Sequence, residues 1–217
     1  MTEILTDKDI ERLIEAVNQA DSADLLLTAV EDLAAAEAVK AIPTLVEVLG
    51  YNNPGAAVAA VDGLIAIGKP VIPFLLDNLD DYNYGARAWA LRVFAGVGDP
   101  RALDLLLKAA TTDFSQSVRR AAARGLGIIR WSELAPEKLL PAQKEVLQAL
   151  LTASADGEWV VRYAAVVGLE SLAIALAQTQ AQLIPQITAR FDEIIALDTE
   201  IAIRARTKLA LQQSNLS

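Results

Sequence analysis

Apolar residues recur at three- and four-residue spacing through almost the whole chain, and short polar clusters interrupt them. That period places apolar side chains on one face of a helix. It predicts helical pairs over 6–19 with 22–37, 40–49 with 55–67, and 70–79 with 84–97. Three more follow: 100–111 with 115–130, 137–153 with 158–177, and 181–197 with 200–213. Breakers separate them at Asn53-Pro54-Gly55, Gly68-Lys69-Pro70, Gly98-Asp99-Pro100 and Ala135-Pro136. Pro100 falls in a first helical turn, where a missing N–H costs nothing. Trp131 to Pro141 reads as an insertion between pairs. No internal boundary is visible, so one continuous domain over 1–217 is expected.

The pairs repeat. An aspartate precedes an arginine by six residues four times: Asp81 and Arg87, Asp113 and Arg119, Asp156 and Arg162, Asp198 and Arg204. Small and apolar residues follow each arginine. An earlier segment, PGAAVAAVDGLIAIG, keeps the register with Ala57 in the arginine's place and Tyr51 in the aspartate's. This pattern resembles the HEAT repeat over nearly the whole chain. In that family the aspartate lies in the turn between helices A and B and the arginine early in helix B, and such pairs link neighbouring repeats. An aspartate at a helix N-terminus caps orphan amides, and an arginine can join adjacent turns with a forked contact. No pair buries its apolar stripe alone, so the pairs must stack. The fold class expected is all-α: an α-solenoid, or superhelix, of about six HEAT-like pairs, with a concave surface lined by B helices.

Composition narrows the chemistry. The 217 residues are 53% hydrophobic and only 5% aromatic, a mixture that favours helices. There is no cysteine and no histidine, which excludes disulfides, a Ser-His-Asp triad, a Cys-His pair and the commonest metal ligands. The net charge of −9 argues against nucleic acid, whose phosphates call for a basic surface. No apolar run approaches the length needed to cross a bilayer, and the charged start MTEILTDKDIERL is unlike a signal peptide. No membrane association and a cytoplasmic location are expected. The acidic residues Asp7, Asp9, Glu11 and Glu15 read as a solvated face.

The Asp/Arg pairs of stacked repeats would form a ladder of hydrogen bonds; a ladder is symmetric, and a binding site needs asymmetry. Asymmetry enters with the aromatics: three Trp, four Tyr and four Phe. Tyr51, Tyr82, Tyr84, Phe114, Trp159 and Tyr163 fall in A–B turns or first turns of B helices, with Trp89 slightly further along. They either fill gaps between alanine-rich helices or jointly offer a surface for a flat conjugated ligand. Two segments are densest. In Asp81-Tyr82-Asn83-Tyr84-Gly85-Ala86-Arg87-Ala88-Trp89, two tyrosines before a glycine read as a turn presenting hydroxyls and rings. In Glu158-Trp159-Val160-Val161-Arg162-Tyr163, Trp159 and Tyr163 are four apart on one helix face. Asp80 beside Asp81 reads as a solvated charge beside a cap.

Three stretches carry a narrower resemblance: DYNYGARAWALRVFAGVGDPRALDLLL at 81–107, SVRRAAARGLGIIRW at 117–131 and DGEWVVRYAAVVGLESLA at 156–173. With them the chain resembles the E/F-type phycobilin lyases of cyanobacteria, and among these the F subunits that serve the phycocyanin α-subunit. The resemblance implies a heterodimer with an E-type subunit. That pair binds phycocyanobilin as substrate, with no prosthetic group, and attaches it by a thioether to a cysteine of the phycocyanin α-subunit. Related phycoviolobilin-forming enzymes carry His-Cys where this chain has Asn83-Tyr84, so ligation without isomerisation is implied. The acceptor supplies the thiol, and the lyase has to bind, orient and protonate. Tyr82 and Tyr84 are then candidate proton donors, and Asp81 a candidate partner of the pyrrole N–H groups. Arg87 and Arg162 are candidates for the bilin propionates, and Trp89, Trp159 and Tyr163 for its rings. Each of the charged candidates competes with the ladder. A non-catalytic scaffold, or a chaperone for bilin transfer, is the alternative. The apolar N-terminal pair, notably Leu25 to Val39, lacks the ladder and is the end expected to meet the partner.

Overall fold

The computed structural model describes residues 6–79 and 83–213; Asp80, Asp81 and Tyr82 lie outside them. Every regular element among the described residues is helical. The helices are α1 (Asp7–Gln19), α2 (Ala23–Ala35), α3 (Ile42–Val48), α4 (Pro54–Ile67), α5 (Val71–Asp77) and α6 (Tyr84–Val97). They continue with α7 (Leu103–Thr112), α8 (Gln116–Leu126), α9 (Pro136–Ala153), α10 (Trp159–Thr179), α11 (Ile184–Leu197) and α12 (Ile201–Gln213). The fold class is the all-α solenoid class of stacked pairs that the repeat predicts. The helices group into two compact units, Met1–Val97 and Gly98–Ser217.

In the first unit α2, α4 and α6 lie side by side as a layer of B helices, with α1 and α3 against α2 and α4. Side-chain caps start α1, α2 and α4. Thr6 and Asp9 form a reciprocal capping box on α1, Ser22 caps Leu25 on α2, and Asn53 caps Ala56 on α4. Pro54 is the first residue of α4, where it lacks only an orphan N–H. Val30, Leu33, Leu45 and Leu64 are fully buried between the layers. Gly68 closes α4 with φ +79°, a conformation that favours glycine.

In the second unit α8, α10 and α12 form the B layer, backed by α7, α9 and α11. By length and composition α10 would suffice to cross a membrane, with a mean hydropathy of 1.7 over its most apolar window. The expectation of no run that long overlooked it because Arg162 and Glu170 interrupt the apolar sequence. Half of that window is buried inside the unit, against α8, α9, α11 and α12. Its hydrophobicity is that of a core helix.

The largest difference from the expected boundaries lies between α8 and α9. Helix α8 stops at Leu126, four residues early, and Gly127 caps it. The insertion is shorter than Trp131–Pro141, because α9 already begins at Pro136 and contains Pro141. Pro141 sits in the second turn, where its lost N–H removes a single bond near the helix start. Several A helices also begin with a 3-10 turn, at Val39–Ala41, Pro100–Ala102 and Ala181–Leu183.

Candidate functional site

The ladder is present in the second unit with forked geometry. Arg119 donates from Nε and Nη2 to the two carboxylate oxygens of Asp156, at 2.7 and 3.0 Å. Its Nη1 donates to the carbonyls of Asp113 and Phe114 in its own turn. Arg162 repeats this arrangement one pair later, forking onto Asp198 at 2.8 and 3.0 Å and donating to the carbonyls of Asp156 and Gly157. Arg204 holds the Asp198 and Thr199 carbonyls. Each arginine thus fixes its own A–B turn and, in the first two, grips the aspartate of the next pair.

The aspartates do a different job from the expected N-cap. Asp113, Asp156 and Asp198 accept from the amide two residues on, those of Ser115, Glu158 and Glu200. The N-caps of α8 and α10 are Ser115 and Glu158. The aspartates shape the turn before the cap, leaving the other carboxylate edge for the arginine.

Burial pushes the Asp156 carboxyl up, but the Arg119 hydrogen bonds, the Glu158 amide and the nearby guanidinium charges pull it below the usual range. The Arg162 hydrogen bonds do the same for Asp198 against the cost of burial. A depressed folded-state carboxyl contributes stability above its unfolded pKa and loses it as pH falls through the folded value. Acid unfolding is therefore expected to begin below about pH 4, the ordinary aspartate value, and to be less steep in Asp156→Asn and Asp198→Asn. Circular dichroism during an acid titration checks this; acid limbs as steep as the parent's would remove these carboxylates from the account.

The candidate site residues divide by unit. In the first unit Tyr84 opens α6, is 45% exposed, and lies 5.5 Å from the Arg87 guanidinium carbon. Arg87 itself is buried. Trp89 is half-buried and stacks on Arg92 at 4.2 Å. Asn83 caps α6 by accepting from Ala86, so this position serves the turn. Asp81 and Tyr82 lie outside the described residues.

In the second unit Trp159 is 47% exposed at the start of α10, and Tyr163 is half-buried one turn on. With Val167 and the exposed Ile174 they continue an open stripe along α10. Arg162 is on the neighbouring face, with its guanidinium engaged in the rung. A hollow of about 410 Å³ beside that rung is lined by Arg162, Arg190, Ile194 and Leu197. The exposed Arg120 and Arg124 follow Arg119 by the same intervals at which Tyr163 and Val167 follow Arg162. They thus occupy the same register on α8, the helix packed beside α10.

One pair was not anticipated from sequence. Glu170, on α10, is ion-paired through Oε2 to Nη2 of Arg206 on α12. Both side chains are largely buried, and Oε1 of Glu170 and Nη1 of Arg206 have no hydrogen-bond partner among the described residues. Glu170 is the only acidic residue of α10, which was the available signal.

A model of HEAT repeats matches residues 72–170. The chain is 53% identical to phycocyanobilin lyase subunit beta of Pseudanabaena tenuis, over 96% of this chain and 74% of that protein. It is 59% identical to the phycocyanin alpha phycocyanobilin lyase CpcF of Synechocystis sp., over 76% and 77% respectively. The chain belongs to the phycocyanobilin lyase beta (F) subunit family. This F-type chain is also similar to the solved complex of CpcE and CpcF of phycocyanin lyase from Nostoc sp., with a TM-score of 0.73 and 49% identity. That likeness covers 80% of this chain and 99% of the other. Beside its repeat, the F-type chain carries the aromatic positions, the α8 arginines and the Glu170–Arg206 pair.

Proposed function

We propose that the chain is one subunit of a heterodimeric phycocyanobilin lyase. With an E-type partner it binds phycocyanobilin as substrate, with no prosthetic group of its own, and attaches it to a cysteine of the phycocyanin α-subunit. The observation carrying this is the extended identity with beta (F) lyase subunits over three quarters or more of their length on average. The cytoplasm is the compartment proposed.

The chemistry asks little of the chain. The acceptor thiol adds across an exocyclic carbon–carbon double bond of the bilin: a sulfur–carbon bond forms, the π bond is lost, and the thiol proton is replaced by one delivered to carbon. A chain without cysteine or histidine can serve by holding the pigment and supplying a proton. Trp159 and Tyr163 stack on the conjugated rings, and Arg120 and Arg124 pair with the propionates. Tyr84, exposed and beside Arg87, is the described candidate for the proton donor, with Tyr82 and Asp81 two and three residues before it in sequence. Arg162 acts through the fold. The exposed Leu25 and Val39 support the N-terminal end as the surface for the partner.

Co-expression of both subunits with the apo-phycocyanin α-subunit and a bilin source tests the proposal. Covalent, denaturation-resistant pigment should form and should disappear when this chain is left out. Trp159→Ala and Tyr84→Phe should each lower ligation at least about tenfold with unchanged helical content. Bound pigment without covalent attachment would leave a transfer chaperone; no pigment in any mixture would leave a scaffold.

A further inference from the structure

The geometry points to Glu170 as the residue of this chain that accepts hydrogen bonds from the pyrrole N–H groups of the bound open-chain tetrapyrrole, with Arg206 as its counter-ion when no pigment is present. This rests on the lyase reading above and adds a specific contact to it.

Glu170 is 8% exposed, near the middle of α10, the longest of the described helices. A charged side chain held there costs free energy unless all its oxygens are satisfied. Arg206 satisfies one oxygen, and the other is buried with no partner among the described residues, as is Nη1 of Arg206. A pair kept for stability alone is well replaced by apolar residues. The rung arginines show what a recurring inter-repeat contact looks like here. Arg119 and Arg162 each use both sides of the fork on both carboxylate oxygens, at positions that recur from pair to pair. Glu170–Arg206 makes a single hydrogen bond and does not recur one level earlier, where the residues in the same registers are Gly127 at the end of α8 and Ala164 on α10.

Its surroundings fit one ligand chemistry. Along α10, Glu170 lies seven residues beyond Tyr163 and four before Ile174, within the angular range of the open stripe that Trp159 begins. The exposed Arg120 and Arg124 lie on the adjoining helix, and Arg206 and the exposed Leu209 on the other. An elongated ligand that is flat and conjugated, anionic at its side groups and rich in N–H donors at its centre has a counterpart for each part. A carboxylate against pyrrole nitrogens also favours their protonated, cationic form. On pigment entry Arg206 releases Glu170, and its guanidinium is free to pair with a propionate.

The test uses the heterodimer of the full chain with its E-type partner, and phycocyanobilin itself as probe. Glu170→Gln keeps the shape and removes the charge. Affinity is expected to fall about 10- to 100-fold, the range of a charge-assisted hydrogen bond. The red absorbance band of any pigment still bound should weaken and shift to the blue, as the protonated form is lost. Glu170→Asp should restore part of both.

Because Glu170→Gln leaves Arg206 buried and uncompensated, the double variant Glu170→Gln with Arg206→Gln serves as the control. It should recover thermal stability and not recover the red band. Recovery of parent-like affinity and spectrum in the double variant would make the pair structural and overturn the inference. So would a stable Glu170→Gln heterodimer that binds and colours like the parent. Failure of the parent heterodimer itself to bind the pigment would instead overturn the lyase reading on which the inference stands.

Discussion

Arg162→Ala is expected to lower the stability of the second unit by about 3–5 kcal/mol, the range for breaking one side of a buried ion pair. Arg162 makes four hydrogen bonds that no other residue replaces: two to the Asp198 carboxylate and two to the carbonyls of Asp156 and Gly157. The Asp198 side chain is only 6% exposed, so removal of the guanidinium strands a carboxylate in a poorly solvated place. The Glu200 amide would be its remaining hydrogen-bond donor of those seen now. Arg162→Lys should recover little, because an ammonium cannot fork across both oxygens while reaching two carbonyls. Urea unfolding followed by tryptophan fluorescence gives the number, with Trp159 close by as reporter. A midpoint equal to the parent's would remove the ladder from the account of stability. A normally folded variant that loses pigment would move Arg162 from the ladder to the ligand.

Where a feature repeats, the sequence reveals it. The recurring aspartate six residues before an arginine locates the two rungs of the second unit, Arg119–Asp156 and Arg162–Asp198, because stacked pairs repeat the same contact; Asp81 of the first pair lies outside the described residues. Even so, the role of the aspartates came out differently: spacing places a carboxylate near a helix start but does not distinguish an N-cap from the turn before it. The expected helix over 137–153 already contains Pro141, and near a helix start a proline's penalty is small. What occurs once was harder to see. Glu170 and Arg206 are 36 residues apart on different helices. Nothing in either local segment marks the pairing, beyond one acid in a long apolar stretch. Trp159 and Tyr163 could be placed on one face from their spacing, whereas the engagement of Arg162 could be weighed only once its partners were known. Asn83, one residue before the exposed tyrosine, proved to be a cap, a role that turn residues often take without further signal.

Gly168→Ala is expected to destabilise the second unit by about 2–3 kcal/mol, within the usual range for overpacking, although alanine is the better helix former by about 1 kcal/mol. A Cβ at Gly168 would meet the backbone oxygen of Ala123 at 2.7 Å and Leu150 Cδ2 at 2.8 Å. The leucine can shift, but the carbonyl belongs to α8 and cannot move alone. Across the same contact a Cβ at Gly127 would lie 2.7 Å from the Cα of Gly168. Two glycines therefore let the backbones of α8 and α10 approach closely, and a methyl group at either must push the helices apart. Gly157→Ala is the matched control, since nothing lies within 4 Å of a Cβ there. If Gly168→Ala instead raised the unfolding midpoint, helix propensity would outweigh packing and the close approach would not be a constraint. The same displacement bears on function. Arg120 and Arg124 ride on α8, and Trp159, Tyr163 and Glu170 on α10, so widening that gap shifts two cations relative to the aromatic stripe and the carboxylate. Pigment affinity in the heterodimer should fall with Gly168→Ala at temperatures well below unfolding and stay at the parent's value with Gly157→Ala. That pattern would place the binding face across the α8–α10 contact, because a loss of stability alone leaves affinity unchanged while the protein is folded.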